Sequence, residues 1–136
     1  MPRLVVCAVA LLSALAGCGD DPPREADPGE SPAPPREAPG VITDADAGAW
    51  FLVSRGSEAT LRLSGDYMWS EPRVTGGAVE LARVDYFQDP GFSEWVLLAV
   101  RPGRTTIAAA GRPVCAGADG CPDGPARFEV SITVAR

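Results

Sequence analysis

The stretch Arg127-Phe128-Glu129-Val130-Ser131-Ile132-Thr133-Val134-Ala135 alternates apolar and polar residues without a slip. Successive side chains of an extended chain point to opposite faces, so Phe128, Val130, Ile132 and Val134 share one side and Glu129, Ser131 and Thr133 the other. A strand of this kind lays one face on a core and leaves the other in water, as in an antiparallel sheet covered on a single side. Working back towards Val41, the chain repeats the theme in short apolar runs, many of them alternating, separated by Gly, Pro, Asp and Ser. Strands are expected near Ala49 to Val53, Glu58 to Ser64, Tyr67 to Glu71, Ala78 to Phe87, Ser93 to Arg101, Thr105 to Ala110 and Arg127 to Ala135. That set fits one all-β domain over residues 41–136, a single immunoglobulin-like sandwich of about seven strands. Trp95 to Val100 is apolar on both faces and is expected to be central or covered on both sides. Pro102-Gly103 reads as a tight turn folding that strand onto Thr105 to Ala110 as a hairpin. The apolar phase of Ala78 to Phe87 slips between Leu81 and Val84, which places a bulge or break near Ala82-Arg83.

The N-terminal end has a different character. Leu4 to Gly17 is apolar or small except for Ser13, follows Arg3, and stops before Asp20 and Asp21. It is shorter than the roughly 20 apolar residues that span a membrane as a helix, and it has the form of an export signal. Leu15-Ala16-Gly17-Cys18 resembles the lipobox of bacterial lipoproteins at all four positions. The resemblance implies that residues 1–17 are a signal peptide removed before Cys18, and that Cys18 becomes the lipidated N-terminus on the extracytoplasmic face of a bacterial membrane. Residues 18–40 then form a linker: Gly19 to Gly40 holds seven prolines and eight charged residues and no aliphatic residue larger than alanine. Such a segment has nothing to bury and serves as a semi-extended tether. Of the four cysteines, Cys7 leaves with the signal and Cys18 takes the lipid. Cys115 and Cys121 remain in a Gly/Pro-rich stretch of an exported chain and are expected to form a local disulfide.

The chain has no histidine and no lysine, and its formal net charge is −6. Ser-His, Cys-His and Ser-Lys pairs and Schiff-base chemistry are thereby excluded, and the scattered arginines offer no basic stripe to a nucleic acid. Asp85, Asp89 and Glu94 are the carboxylates from which an acid–base pair would have to come, but acidic side chains at strand ends are ordinarily solvated. Asp44 with Asp46, and Asp119 with Asp123, match no calcium-loop pattern and are expected to shape turns. No metal or cofactor is implied, and the domain reads as non-enzymatic.

Trp50, Tyr67, Trp69, Tyr86 and Trp95 all fall in expected strands, where core packing is the default. Tyr67 and Trp69 stand apart because they share a strand face directly after Ser64-Gly65-Asp66. Across Ala49 to Ala135 the order of features resembles chagasin-type inhibitors of papain-like cysteine peptidases. That family inhibits through three loops at one end of an immunoglobulin-like sandwich. Its first loop reads Asn-Pro-Thr-Thr-Gly and then an aromatic-x-Trp; Gly65-Asp66-Tyr67-Met68-Trp69 keeps the glycine, tyrosine and tryptophan, inserts Asp66, and has no Asn-Pro-Thr-Thr. The glycine-rich second loop corresponds to Gln88-Asp89-Pro90-Gly91-Phe92. Arg-Pro of the third is kept in Gly111-Arg112-Pro113-Val114, with valine in place of the aromatic. The resemblance implies a partner-binding edge containing Tyr67, Trp69, Gly91, Arg112 and Pro113, and a peptidase or another envelope protein as partner. Val100 to Ile107 also resembles the hairpin of bacterial immunoglobulin-like surface modules, which implies a structural or adhesion role as the alternative.

Overall fold

The computed structural model describes residues 33–115 and 120–136. The expected signal peptide, Cys18, most of the expected tether and Asp119 lie outside the described residues. Among those described, the strands in chain order are β1 (Arg36–Glu37), β2 (Val41–Thr43), β3 (Trp50–Val53), β4 (Glu58–Ser64) and β5 (Tyr67–Trp69). They continue with β6 (Arg73–Thr75), β7 (Val79–Arg83), β8 (Phe92–Ala99), β9 (Gly103–Pro113) and β10 (Ala126–Val134). The alternation of the last strand is realised in β10: Phe128, Val130, Ile132 and Val134 are buried and Glu129 is exposed. β4 obeys the same rule, with Ala59, Leu61 and Leu63 inward.

Two sheets face each other. In the first, the order is β1-β3-β10-β9, and β5 and β6 follow one another along the far edge of β9; in the second it is β2-β4-β8-β7. β9 and β10 form the longest ladder, antiparallel from Ala126 opposite Gly111 to Val134 opposite Gly103. The inward residues of both sheets close a core around Phe51, Leu61, Trp95, Ile107, Phe128 and Ile132, each at most 1% exposed. Among the described residues one polar residue, Thr105, is fully buried with them. Thr105 Oγ1 accepts a hydrogen bond from the backbone N–H of Ala78 at 3.0 Å, so the hydroxyl joins the two sheets without an unmet acceptor.

The sandwich stands as expected, while several local expectations are corrected. Pro102-Gly103 does not close a hairpin: β8 belongs to the second sheet and β9 to the first. Both edges of β8 are already taken, by β4 and β7, so the next strand has no free edge there and must arch to the facing sheet. β8 is central but covered on one face only, since Trp95, Leu97 and Ala99 are buried and Leu98 is exposed. The break in the fourth expected strand falls where the apolar phase slips: β7 ends at Arg83, and the N–H of Val84 still reaches the carbonyl of Glu94 at 2.9 Å.

Three short strands had no counterpart in the sequence reading. β1 lies inside the stretch read as tether, pairing parallel to β3; Arg36 holds Asp46 at 2.7 Å and its guanidinium lies over the Phe51 ring. β2 runs parallel to β4, and β6 pairs with β9. They are edge strands of two or three residues, too short for an alternating pattern to show. Asp44 and Asp46 do shape a turn, a single 3-10 turn in which Asp46 accepts from the N–H of Thr43 at 2.9 Å. Trp95 is buried, but Trp50 and Tyr86 are not core residues. Trp50 sits half-buried on the outer face of the first sheet, under the Arg104 guanidinium and bonded to Thr133, because its neighbour Phe51 takes the inward position. Tyr86 lies past the end of β7 and is exposed.

Candidate partner-binding edge

β9 runs on to Pro113, beyond the expected end at Ala110, because β5 lies alongside it. Tyr67 faces Pro113, Met68 faces Arg112 and Trp69 faces Gly111. Arg112 and Pro113 are thus strand residues at the rim of the sheet, and Val114 is the first residue past it. Tyr67 and Trp69 turn inward over Gly111: a Cβ there would come within 2.9 Å of Tyr67 Cβ and 3.0 Å of the Trp69 ring. Only a bare α-carbon leaves room for the two rings, which pack 5.3 Å apart.

Trp69 is half-buried against the core and donates its indole N–H to the carbonyl of Ser64 at 2.9 Å. It plugs the mouth of the sandwich, tying the end of β4 in one sheet to β5 in the other. Met68 points the opposite way and is exposed beside Arg112.

The three segments singled out from the sequence meet at Gly65-Asp66. A Cβ on Gly65 would fall 2.2 Å from the carbonyl oxygen of Gly91, so the first and second loops touch backbone to backbone. Asp66 offers its carbonyl to the N–H of Val114 at 3.0 Å, which joins the first loop to the third. Gly91 has a φ of +77°, and its N–H is capped by Asp89 Oδ1 at 2.8 Å. Cys115 and Cys121 form the expected disulfide just beyond Val114, with Cα atoms 5.8 Å apart.

Sequence reasoning missed the most exposed aromatic of this end. Phe87 is fully exposed in the second loop, and Val114 and Met68 add further exposed apolar surface. The signal was present in the phase slip: once the strand breaks after Arg83, nothing carries Phe87 to the core side, and Gln88-Asp89-Pro90-Gly91 turns the chain immediately after it. The three carboxylates considered for acid–base chemistry carry separate tasks. Asp85 is an exposed partner of Arg83 at 3.4 Å, Asp89 caps Gly91, and Glu94 is held by Arg62 and Tyr86. Grooves of about 320 and 500 Å³ lie elsewhere, one beside Ala38 to Gly40 and Val53, the other on the flank between Ser70 and Phe128. Tyr67, Trp69, Gly91, Arg112 and Pro113 line neither groove.

Superposition on solved structures finds this frame in a cysteine protease inhibitor from Entamoeba histolytica. The TM-score is 0.52 at 16% identity, over 70% of this chain and 93% of that one. This chain shares its fold with a cysteine protease inhibitor. That agrees with the chagasin-type resemblance of the sequence at the level of the frame. Lower similarity is found to PbICP-C solved in complex with falcipain-2 (TM-score 0.43, 14% identity, 74% of this chain and 92% of that one). Amebosin, in its solution structure, gives a TM-score of 0.39 at 14% identity, over 70% of this chain and 96% of that one. No protein-family model and no curated protein matches the sequence.

Proposed function

We propose that this chain is a lipid-anchored, non-enzymatic inhibitor of papain-like cysteine peptidases, which meets its target with the edge formed by Gly65 to Tyr67, Phe87 to Gly91 and Arg112 to Val114. The observation that carries the reading is the convergence of all three loops on Gly65-Asp66, at the end of a sandwich whose frame is also that of a cysteine protease inhibitor. A sandwich holds such loops rigidly, so their contact surface is paid for mostly at folding rather than at binding. Met68, Phe87 and Val114 leave apolar surface exposed at this edge, which suits contact with a protein partner, where a small-molecule receptor would need a concave pocket of its own. Phe87 supplies an apolar anchor, and Arg112 a directional donor. Trp69 supports the edge from within, and Tyr67 lies against it.

The mature chain carrying Cys18→Ser, which leaves it unlipidated, is to be titrated against a panel of papain-like peptidases. Inhibition at or below micromolar concentration is expected for at least one. Its absence across the panel removes the inhibitor reading in favour of a structural or adhesion module of the envelope. Anchoring is tested separately by metabolic lipid labelling: the wild-type chain should take the label and Cys18→Ser should not, and label on the serine variant contradicts the assignment.

A further inference from the structure

The second loop hangs on side chains. Between Asp85 and Pro90 no backbone N–H or carbonyl bonds the backbone of another described residue; the ladder resumes only at Phe92, opposite Ser64. Yet both ends of the loop meet in a closed ring on the outer face of the second sheet. Tyr86, at its start, donates its hydroxyl to Glu94 Oε1 at 2.7 Å. The other carboxylate oxygen of Glu94 takes Nε and Nη2 of Arg62, both at 2.8 Å. The Arg62 guanidinium lies 4.5 Å over the ring of Phe92 at the loop's end, and Phe92 returns to Tyr86 edge-on at 5.6 Å. Glu94 is the enclosed member, its side chain 10% exposed, with β4 on one side and the loop on the other. Arg62 stands directly opposite Glu94 in the β4–β8 register and Phe92 opposite Ser64, so the ladder itself fixes three of the four corners and Tyr86 is the one the loop brings.

We infer that the Arg62–Glu94–Tyr86–Phe92 ring is the positioning device of the partner-binding edge: it holds the second loop so that Phe87 projects from the rim and Gly91 stays against Gly65. The consequence for binding rests on the function proposed above; the hold on the loop does not. Tyr86 and Phe92 lie on either side of the segment that carries Phe87 and Gly91, so loosening Tyr86 frees one end of it. Charge-assisted hydrogen bonds are the stronger kind, and a ring in which each member touches two others fixes rotamers that a single bond would leave free. Ordering supplied in the free domain is ordering the complex need not supply, and it shows chiefly as slower dissociation.

Tyr86→Phe removes only the hydroxyl and keeps the contact with Phe92; Glu94→Ala removes the centre of the ring. Backbone order parameters of residues 85–91, measured by ¹⁵N relaxation on the mature Cys18→Ser chain, should fall in both variants from a rigid value of about 0.85 towards about 0.6, with the unfolding midpoint unchanged for Tyr86→Phe. Dissociation from the inhibited peptidase should quicken about tenfold for Tyr86→Phe, and Phe87→Ala should weaken binding without disturbing loop order. Loop order equal to wild type in both ring variants overturns the inference, as does a loop that loosens while dissociation stays unchanged. If the wild-type chain binds no peptidase, the proposed function falls, and the order parameters alone then decide the ring.

Discussion

Ser64 to Tyr67 and Val84 to Phe92 meet at one point and are held by different means. The first loop is fixed through its backbone: Gly65 lies against the Gly91 carbonyl, Asp66 bonds Val114, and Trp69 pins the Ser64 carbonyl from inside the sandwich. The second, between its backbone-anchored ends at Val84 and Phe92, is fixed through side chains around Glu94. Removing support from the first therefore disturbs the fold, whereas removing it from the second loosens a loop on an intact frame. Large aromatics divide the same way, since Trp69 packs against the core and Phe87 touches only solvent in the free domain.

The sharpest way to break that contrast is to truncate both aromatics. Trp69→Ala should cost about 3 kcal/mol in urea unfolding, near the lower end for a buried tryptophan because the ring is only half enclosed. Phe87→Ala should leave stability within about 0.5 kcal/mol, as for other exposed positions. Equal losses would mean that the two residues play the same part. Next in size is Gly65→Ala. Its methyl group would meet the Gly91 carbonyl at 2.2 Å, backbone against backbone, so one loop must move. A loss of about 2 kcal/mol is expected from such overpacking, with the amide signals of Gly91 and Val114 shifting together. A shift confined to Gly65 and its chain neighbours would show that the loops do not touch.

β10 and β4 were legible because a face that alternates over seven or more residues leaves little doubt about what it buries. The meeting of the three loops was legible too, through the order of Gly65, Gly91 and Arg112-Pro113 along a familiar frame. Pro102-Gly103 misled for a definite reason: a turn dipeptide specifies a reversal, not which sheet receives the next strand, and that was settled by β4 and β7 flanking β8. β1 was hidden because Arg36-Glu37 carries no apolar pattern; it is drawn into the sheet by the edge of β3 and by Asp46. The ring around Glu94 joins residues up to 32 positions apart, a closure that no local pattern encodes. Tyr86 is expected in the core because the strand reading runs on to Phe87, whereas β7 ends at Arg83.

Acidity offers a gentler probe of the side-chain-held loop. The Tyr86 hydroxyl and then the Arg62 guanidinium hold the Glu94 carboxyl below its ordinary value of 4.5, against the opposing effect of its burial. The carboxylate's contribution to the ring is thus complete above that value and is lost as pH falls through Glu94's own, lower one. The reciprocal hydrogen bond raises Tyr86 above 10.0, so the alkaline limit lies higher than for a free tyrosine. With no histidine or lysine in the chain, loop order should be flat through neutral pH and should decline only in strong acid. Glu94→Gln should remove that acid step. A decline centred near neutrality would place the control of the loop in some other group.

If the three loops act as one contact surface, amide hydrogen exchange of the Cys18→Ser chain from residue 18 onward, free and saturated with a papain-like peptidase that it inhibits, will register all three at once. Slowed exchange confined to Gly65 to Tyr67, Phe87 to Gly91 and Arg112 to Val114, appearing together, is the predicted result. Protection on the outer face of either sheet with these three segments unchanged would contradict it.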